Sequence, residues 1–339
     1  TTPEAPTLQA LFVQMLAEGV THVVMEVSSH ALMLGRVQGV KFDVAGFTNL
    51  SQDHLDFHAT MAEYFEAKAL FFRPGSTTRA ARAVVCVDDE WGEKMASVFG
   101  SGVRTLATRG QAGDYTVSAV QTVERGGQEF RLAAPSGAVV AATVPLPGRF
   151  NVANAALALA LADTVGVDMT ALLPGLAGVG VPGRMEVVDC GQDFLAVVDY
   201  AHKPAAIKAV LATVRGQVTG RIGLVVGAGG DRDHSKRPIM GAEAAAGADY
   251  VVVTDDNPRN EDPAAIRAQV LAGTAAGSAE VVEIGDRRAA IRQVVAWAKP
   301  GDAVIIAGKG HEVGQLIDGV THHFDDREEL RAALEGRDQ

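Results

Sequence analysis

The chain has 339 residues, 47% of them hydrophobic, with 30 basic and 41 acidic side chains and a formal charge of −11. That length suits about two domains, and that apolar content excludes a disordered chain. The acidic balance excludes a general nucleic-acid binder, which presents a basic face, but it leaves room for a local basic pocket for an anionic metabolite.

Cys86 and Cys190 are far apart and lack metal-ligand spacing, so neither a disulfide framework nor a cysteine zinc site is expected. No apolar run reaches the roughly 18 residues of a membrane span, and no signal-peptide pattern opens the row. The row starts Thr1-Thr2-Pro3 and not Met, which fits a longer protein whose start is missing.

In chain order, Leu8, Leu11, Phe12, Met15 and Leu16 recur at helical spacing, with Gly19 placed to stop the helix. His22 to Val27 reads as a buried strand, Val44 to Leu50 as a second, Met61 to Phe72 as a helix and Val84 to Val87 as a third strand. Such alternation favours a parallel α/β sheet. From Asp114 the texture changes. Tyr115–Val120, Glu129–Ala133 and Ala138–Leu146 are short runs, the first two alternating, with a Gly126-Gly127 turn, and read as antiparallel hairpins. An Ala- and Leu-rich helix follows from Val152 to about Thr164, and Gly178 to Gly183 reads as an interdomain linker. A second α/β series then supplies strands at Leu195–Val198, Ile222–Val226, Tyr250–Val253, Val281–Ile284 and Ala303–Ile306. The fold expected is α/β: a parallel-sheet, ATPase-type domain with an antiparallel excursion over 1–182, then a Rossmann-like α/β domain over 183–339.

The chemistry-bearing residues fall at strand ends, where open parallel sheets bind ligands. Glu26 offers a hard oxygen to magnesium, although Ser28-Ser29-His30 beside it also reads as a polar loop with a helix-capping serine. Thr48 to Asp56 crowds Asp53, His54 and Asp56 together, and Ser51 there equally suits a cap. Lys68 lies on a helix, where a solvated lysine is the ordinary reading. Asn151 and Asn154 follow Gly148-Arg149-Phe150; their amides suit an adenine edge, or simply a turn and cap.

Gly227 to Asp233, with Lys236 and Arg237, has the glycines and cations to cradle an anion. It is neither a Walker loop, a pattern absent from the row, nor Gly-x-Gly-x-x-Gly, since Arg232 stands where the third glycine belongs. Asp256-Asn257-Pro258-Arg259 offers a guanidinium fork for a carboxylate, or a type I turn with a surface arginine. In Gly308-Lys309-Gly310-His311-Glu312, the last residue suits an ammonium group.

Taken together, these runs resemble the Mur ligase family, and within it the MurE type. The carriers are Glu26–His30, Thr48–Asp56, Glu66–Lys68, Gly148–Val152, Gly183–Glu186, Asp199–His202, Gly229–Asp233, Lys236–Pro238, Asp256–Arg259 and Gly308–Glu312, in order through nearly the whole chain. The resemblance implies a cytoplasmic, ATP- and magnesium-dependent ligase of peptidoglycan synthesis. It would join a third amino acid to UDP-N-acetylmuramoyl-L-alanyl-D-glutamate through an acyl phosphate.

Carried across, Glu26 and His54 would ligate magnesium together with Lys68 as a carbamate. Asn151, Arg184 and Asp199 would hold ATP, with His202 near its phosphates. Thr1, Thr2, Ser28 and Arg36 would face the UDP-sugar peptide. Arg237, Asp256, Asn257, Arg259, Gly308 and Glu312 would receive the amino acid. Arg259 favours meso-diaminopimelate, whose second carboxylate suits a guanidinium; L-lysine and L-ornithine are the alternatives.

The sequence also departs from its relatives. They carry an N-terminal UDP-binding domain and a Gly-Lys-Thr phosphate loop, and this row begins just after that loop's place, so the chain alone is expected to be an inactive fragment. Leu34 stands where some relatives have glutamine, and Lys203 where many have threonine. The rival readings are a folylpolyglutamate synthase, a D-alanyl-D-alanine-adding ligase, and a non-catalytic module that binds a nucleotide or a cell-wall partner.

Overall fold

A computed structural model describes residues 2–123 and 126–336. Thr1 and the last three residues lie outside them. The first half opens with α1 (Ala5–Ala17), whose Pro6 suits the first turn, and Gly19 follows at φ 78°. Then come α2 (Ser29–Met33), β1 (Val44–Phe47), α3 (Met61–Ala69), β2 (Arg82–Cys86), α4 (Glu90–Phe99) and β3 (Val103–Ala107). The hairpin strands are β4 (Tyr115–Thr122), β5 (Gln128–Ala133) and β6 (Val139–Val144), followed by α5 (Arg149–Thr164) and α6 (Met169–Ala177).

One six-stranded sheet runs β1-β2-β3-β4-β5-β6. β1 to β4 pair in parallel and β4 to β6 antiparallel, so the expected excursion extends the same sheet. α5 buries Val152, Ala155, Ala156 and Leu159 against that sheet, next to Val84, Leu106 and Phe130.

The expected strand from His22 to Val27 does not form. Among the described residues the segment has no ladder partner, and Val24 is 97% exposed. Among the described residues β1 is the edge of the sheet and pairs with β2 alone. A valine-rich run becomes a strand only by pairing with a neighbour. The strand from Val44 ends at Phe47, where its register with β2 runs out.

In the second half, β7 (Glu186–Val187), β8 (Leu195–Asp199), α7 (Pro204–Arg215), β9 (Ile222–Val226), α8 (Lys236–Gly247), β10 (Tyr250–Val253), α9 (Pro263–Thr274), β11 (Glu280–Glu283), α10 (Arg287–Trp297) and β12 (Ala303–Ala307) alternate. A hairpin of β13 (Gly314–Ile317) and β14 (Val320–His323), then α11 (Asp326–Glu335), closes the chain. The strand order is β11-β10-β9-β12-β8-β7, parallel except for β7. β9 and β12 are completely buried, as strands covered on both faces must be. α7, α8 and α9 pack on one face, and α10 and α11 on the other.

After β9 the chain winds outward through β10 to β11, then returns to place β12 on the other side of β9. That reversal opens a crevice at the carboxyl ends of β9 and β12, the usual ligand position in such sheets. Among the described residues, no helix is long and apolar enough to cross a membrane.

Candidate functional site

On the first half, Thr60 caps α3 by accepting the Glu63 N–H, which fixes the helix that carries Tyr64 and Lys68. Lys68 Nζ lies 5.1 Å from the centre of the Tyr64 ring. Burial, and then the nearby Lys203 cation, pull the Lys68 ammonium down to about 8, against the opposing pull of Asp53 and Glu26. His54, at φ 57°, sits edge-on to Tyr64 at 5.7 Å and to His30 at 4.9 Å. Burial depresses His54 to about 4, so the imidazole is neutral at pH 7.

Glu26, His54 and Lys68 are thus drawn to one region. Among the described residues, however, no group of three or more His, Cys, Asp or Glu side chains is placed to hold a metal. Lysine as a free amine brings no oxygen, so the expected magnesium set is complete only with a carbamate on Lys68. Its buried, easily deprotonated amine fits that chemistry.

Thr2, Ser28 and Arg36 do come together. Thr2 Oγ1 donates to the Glu26 carbonyl at 2.9 Å and accepts the Ser28 N–H at 3.1 Å, and Arg36 donates to the Thr2 carbonyl at 3.3 Å. The Ser28 hydroxyl caps α2 through the Ala31 N–H, so the capping reading of this serine holds.

On the second half, the end of β8 places Asp199, whose two oxygens accept the Met185 and Ala201 N–H groups, each at 2.8 Å. Burial raises its proton affinity despite those bonds and the nearby Arg184 and His202. Arg184 stacks 4.3 Å over the Tyr200 ring, and His202 Nδ1 lies 2.8 Å from the Tyr200 carbonyl. Asn151, at the start of α5, is buried and donates to the Pro147 carbonyl at 2.8 Å. Its neighbour Phe150 packs on the second-half core.

The loops after β10 and β12 form a charged cluster. Asn257 Nδ2 donates to Glu312 at 2.9 Å, and Lys309 Nζ donates to Asn257 Oδ1 at 3.0 Å. Gly308, at φ 123°, passes so close to the Asp256 carboxylate that a Cβ there would lie 2.5 Å from it. Arg259 Nη1 donates to the Gly230 carbonyl at 2.6 Å, and its backbone bridges to Ile317 of β13. The hairpin thereby holds the arginine loop in place.

Asp256, Asn257, Arg259, Gly308 and Glu312 therefore share one end of the crevice. Arg237 is set apart, because it is fully buried and forks onto Glu261 at 2.8 and 2.9 Å, with further bonds to Gln269 and Gly229. In this arrangement it faces protein and not the crevice.

Sequence reasoning missed Asp53 as a centre. Its carboxylate, 6% exposed, lies 3.0 Å from Lys203, 3.1 Å from Lys236 and 3.8 Å from His202, all from the second half, and 3.3 Å from His54. Burial would raise its proton affinity, but the His202 hydrogen bond and the two lysines hold it far below the usual carboxylate range. The available signal was the charge pattern itself, with Asp53 inside one motif and His202, Lys203 and Lys236 in or beside the motifs of the second half.

Residues 1–162 match the family model of the Mur ligase middle domain, and residues 183–310 that of the Mur ligase glutamate ligase domain. The UDP-N-acetylmuramoyl-L-alanyl-D-glutamate–2,6-diaminopimelate ligase of Corynebacterium glutamicum is 62% identical over 98% of this chain. This chain spans 66% of that relative's length. A solved ligase of the same name is 38% identical, with a TM-score of 0.63, covering 100% of this chain and 69% of its own. The Mycobacterium tuberculosis folylpolyglutamate synthase, solved with ADP and AMPPCP, is 25% identical with a TM-score of 0.63, over 80% of this chain and 62% of its own. On these matches across both halves, the chain belongs to the Mur ligase family.

Proposed function

We propose that this chain forms the central and C-terminal domains, over 1–182 and 183–339, of a cytoplasmic ATP-dependent ligase of peptidoglycan synthesis. The ligase adds meso-diaminopimelate to UDP-N-acetylmuramoyl-L-alanyl-D-glutamate. The observation that carries this reading is the pairing of an amphoteric cluster, Arg259 with Asp256, Asn257 and Glu312, with Lys68, Glu26 and His54 across the Asp53 join. A cluster bearing both a guanidinium and carboxylates suits a zwitterion with a carboxylate to spare. L-lysine and L-ornithine offer no second carboxylate to Arg259.

In this reading, Asn151, Arg184 and Asp199 hold the nucleotide, and His202 faces its phosphates. The Asp199 carboxylate acts by fixing the turn that carries Arg184. Thr2, Ser28 and Arg36, with Thr1 beyond the described residues, face the UDP-linked peptide. The free carboxylate of D-glutamate attacks the γ-phosphorus of ATP, releasing ADP and leaving an acyl phosphate. Glu26, His54 and a carbamate on Lys68 would hold magnesium, which would supply charge neutralisation to that transfer.

Asp256, Asn257 and Glu312 orient the ammonium group, which gives one proton to solvent, attacks the acyl carbon as the neutral amine, and gives a second proton to the phosphate that departs from the tetrahedral intermediate. The chain contributes position and preorganised charge. Arg237 supports the pocket from behind.

The test is amide formation by the gene's complete product with ATP, magnesium and the UDP-linked dipeptide, offering diaminopimelate, lysine and ornithine in parallel. Product with diaminopimelate alone is expected. Product with lysine or ornithine overturns the Arg259 assignment, and no product with any amine overturns the ligase reading.

A further inference from the structure

Lys309 takes no step in the chemistry above, yet its side chain is fully buried beside the pocket. Its ammonium donates to Asn257 Oδ1 at 3.0 Å and lies 3.7 Å from Asp256 and 3.6 Å from Glu312. A buried ammonium is costly unless paired and hydrogen-bonded, and these three partners are all residues of the proposed amino-acid pocket.

The bonding fixes orientation in sequence. Asn257 Oδ1 accepts from Lys309 and from the Leu316 N–H, each at 3.0 Å. With both donors on the oxygen, the amide nitrogen faces the other way and donates to Glu312 Oε2 at 2.9 Å. Glu312 Oε1 is then left toward the Tyr200 hydroxyl, 3.5 Å away, with the side chain 36% exposed. Lys309 and Arg259 offset the Asp256 and Glu312 carboxylates, and the partly exposed Glu312 carboxylate is the negative group on the open side. An ammonium group is the ligand chemistry that fits.

We propose that Lys309 is a positioning residue, which locks the Asn257 amide and through it the Glu312 carboxylate in the pose that receives the incoming ammonium group. The proposal rests on reading Asp256 to Glu312 as the amine pocket. Two effects of removing Lys309 oppose one another. The pocket gains net negative charge, which by itself would tighten ammonium binding. It also loses the bond that sets the Asn257–Glu312 pose, which weakens binding. Partners left unpaired after such a truncation carry most of its effect, so positioning should win.

The experiment is steady-state kinetics of the gene's complete product, comparing Lys309→Met and Lys309→Arg with wild type. Lys309→Met should raise KM for diaminopimelate by about tenfold or more, leaving KM for ATP within about twofold. Lys309→Arg, which keeps a buried donor and its charge, should recover most of the loss. An unchanged or lowered KM for diaminopimelate, or equal losses for both substrates, overturns the proposal. If the methionine variant fails to fold, Lys309→Gln keeps one donor without the charge and should raise the same KM in part; no rise there overturns the proposal equally. Wild-type turnover beside an unaffected variant refutes Lys309 alone, whereas a wild type inert toward every amine refutes the function and this inference with it.

Discussion

The Arg237–Glu261 pair shows how a residue's chemistry depends on a neighbour that the sequence does not announce. Arg237 sits near a glycine-rich loop and reads as an anion binder, but the fold gives it the Glu261 carboxylate. Among the described residues its Nε has no hydrogen-bond partner, while its other nitrogens are taken by Glu261, Gln269 and Gly229. Replacing Glu261 with Gln leaves a buried guanidinium without its charge partner, a change that costs about 3 kcal/mol in comparable pairs. Urea denaturation at pH 7 should show that loss.

The acid side gives a second check on the same pair. The Arg237 hydrogen bonds hold the Glu261 carboxyl down at about 2, against an ordinary 4.5. A lowered folded-state value means that the ionised carboxylate stabilises the fold fully above pH 4.5. That contribution fades as pH falls through about 2. Wild type should lose stability across that window and Glu261→Gln should not share this loss. Parallel acid limbs would refute the pairing.

At the scale of elements, Arg237 lies on α8 and Glu261 on the loop just before α9, and the two helices meet through glycines. A Cβ on Gly241 would collide with the Val270 carbonyl, and one on Gly273 with the Pro238 carbonyl. Gly273→Ala must therefore push the helices apart, at roughly 1–3 kcal/mol, and expose Arg237. Gly175→Ala on α6, with nothing within 4 Å, is the control and should be neutral or stabilising by up to about 1 kcal/mol. Equal melting shifts in the two variants would dismiss the packing argument.

Such contacts explain what could be read in advance. The buried strands β8, β9, β10 and β12 are continuous apolar runs between breakers, and the sequence places each within a residue. β3 escapes because Arg104 and Thr105 interrupt its apolar pattern, and β14 because Thr321, His322 and His323 have none. His22 to Val27 has the right composition but no partner strand among the described residues. At the site, motif residues at strand ends were legible, while Arg237's burial and the centrality of Asp53 arise from contacts between distant segments.

At the scale of the whole molecule, the two sheets are joined mainly by polar contacts, and such interfaces permit domain motion by default. Asp53 is the centre of the join, and Gln52 adds bonds to Asp233 and Ser235 at 3.2 and 3.0 Å. Because the Asp53 carboxyl is held far below its ordinary 3.8, mild acid does not release it. Asp53→Asn keeps the shape and removes the charge, so the first half no longer offers a carboxylate to Lys203 and Lys236 of the second half. Loss of that attraction across the join should open the halves. Small-angle scattering should then report a larger radius of gyration than wild type, and added salt should shrink the difference by screening. Lys203→Thr removes only one of the cations and leaves Lys236 and His202 on Asp53, so it should open the molecule less. An Asp53→Asn profile that superimposes on wild type at low salt would mean that the join is held elsewhere, by the packing of Phe150 on the second-half core.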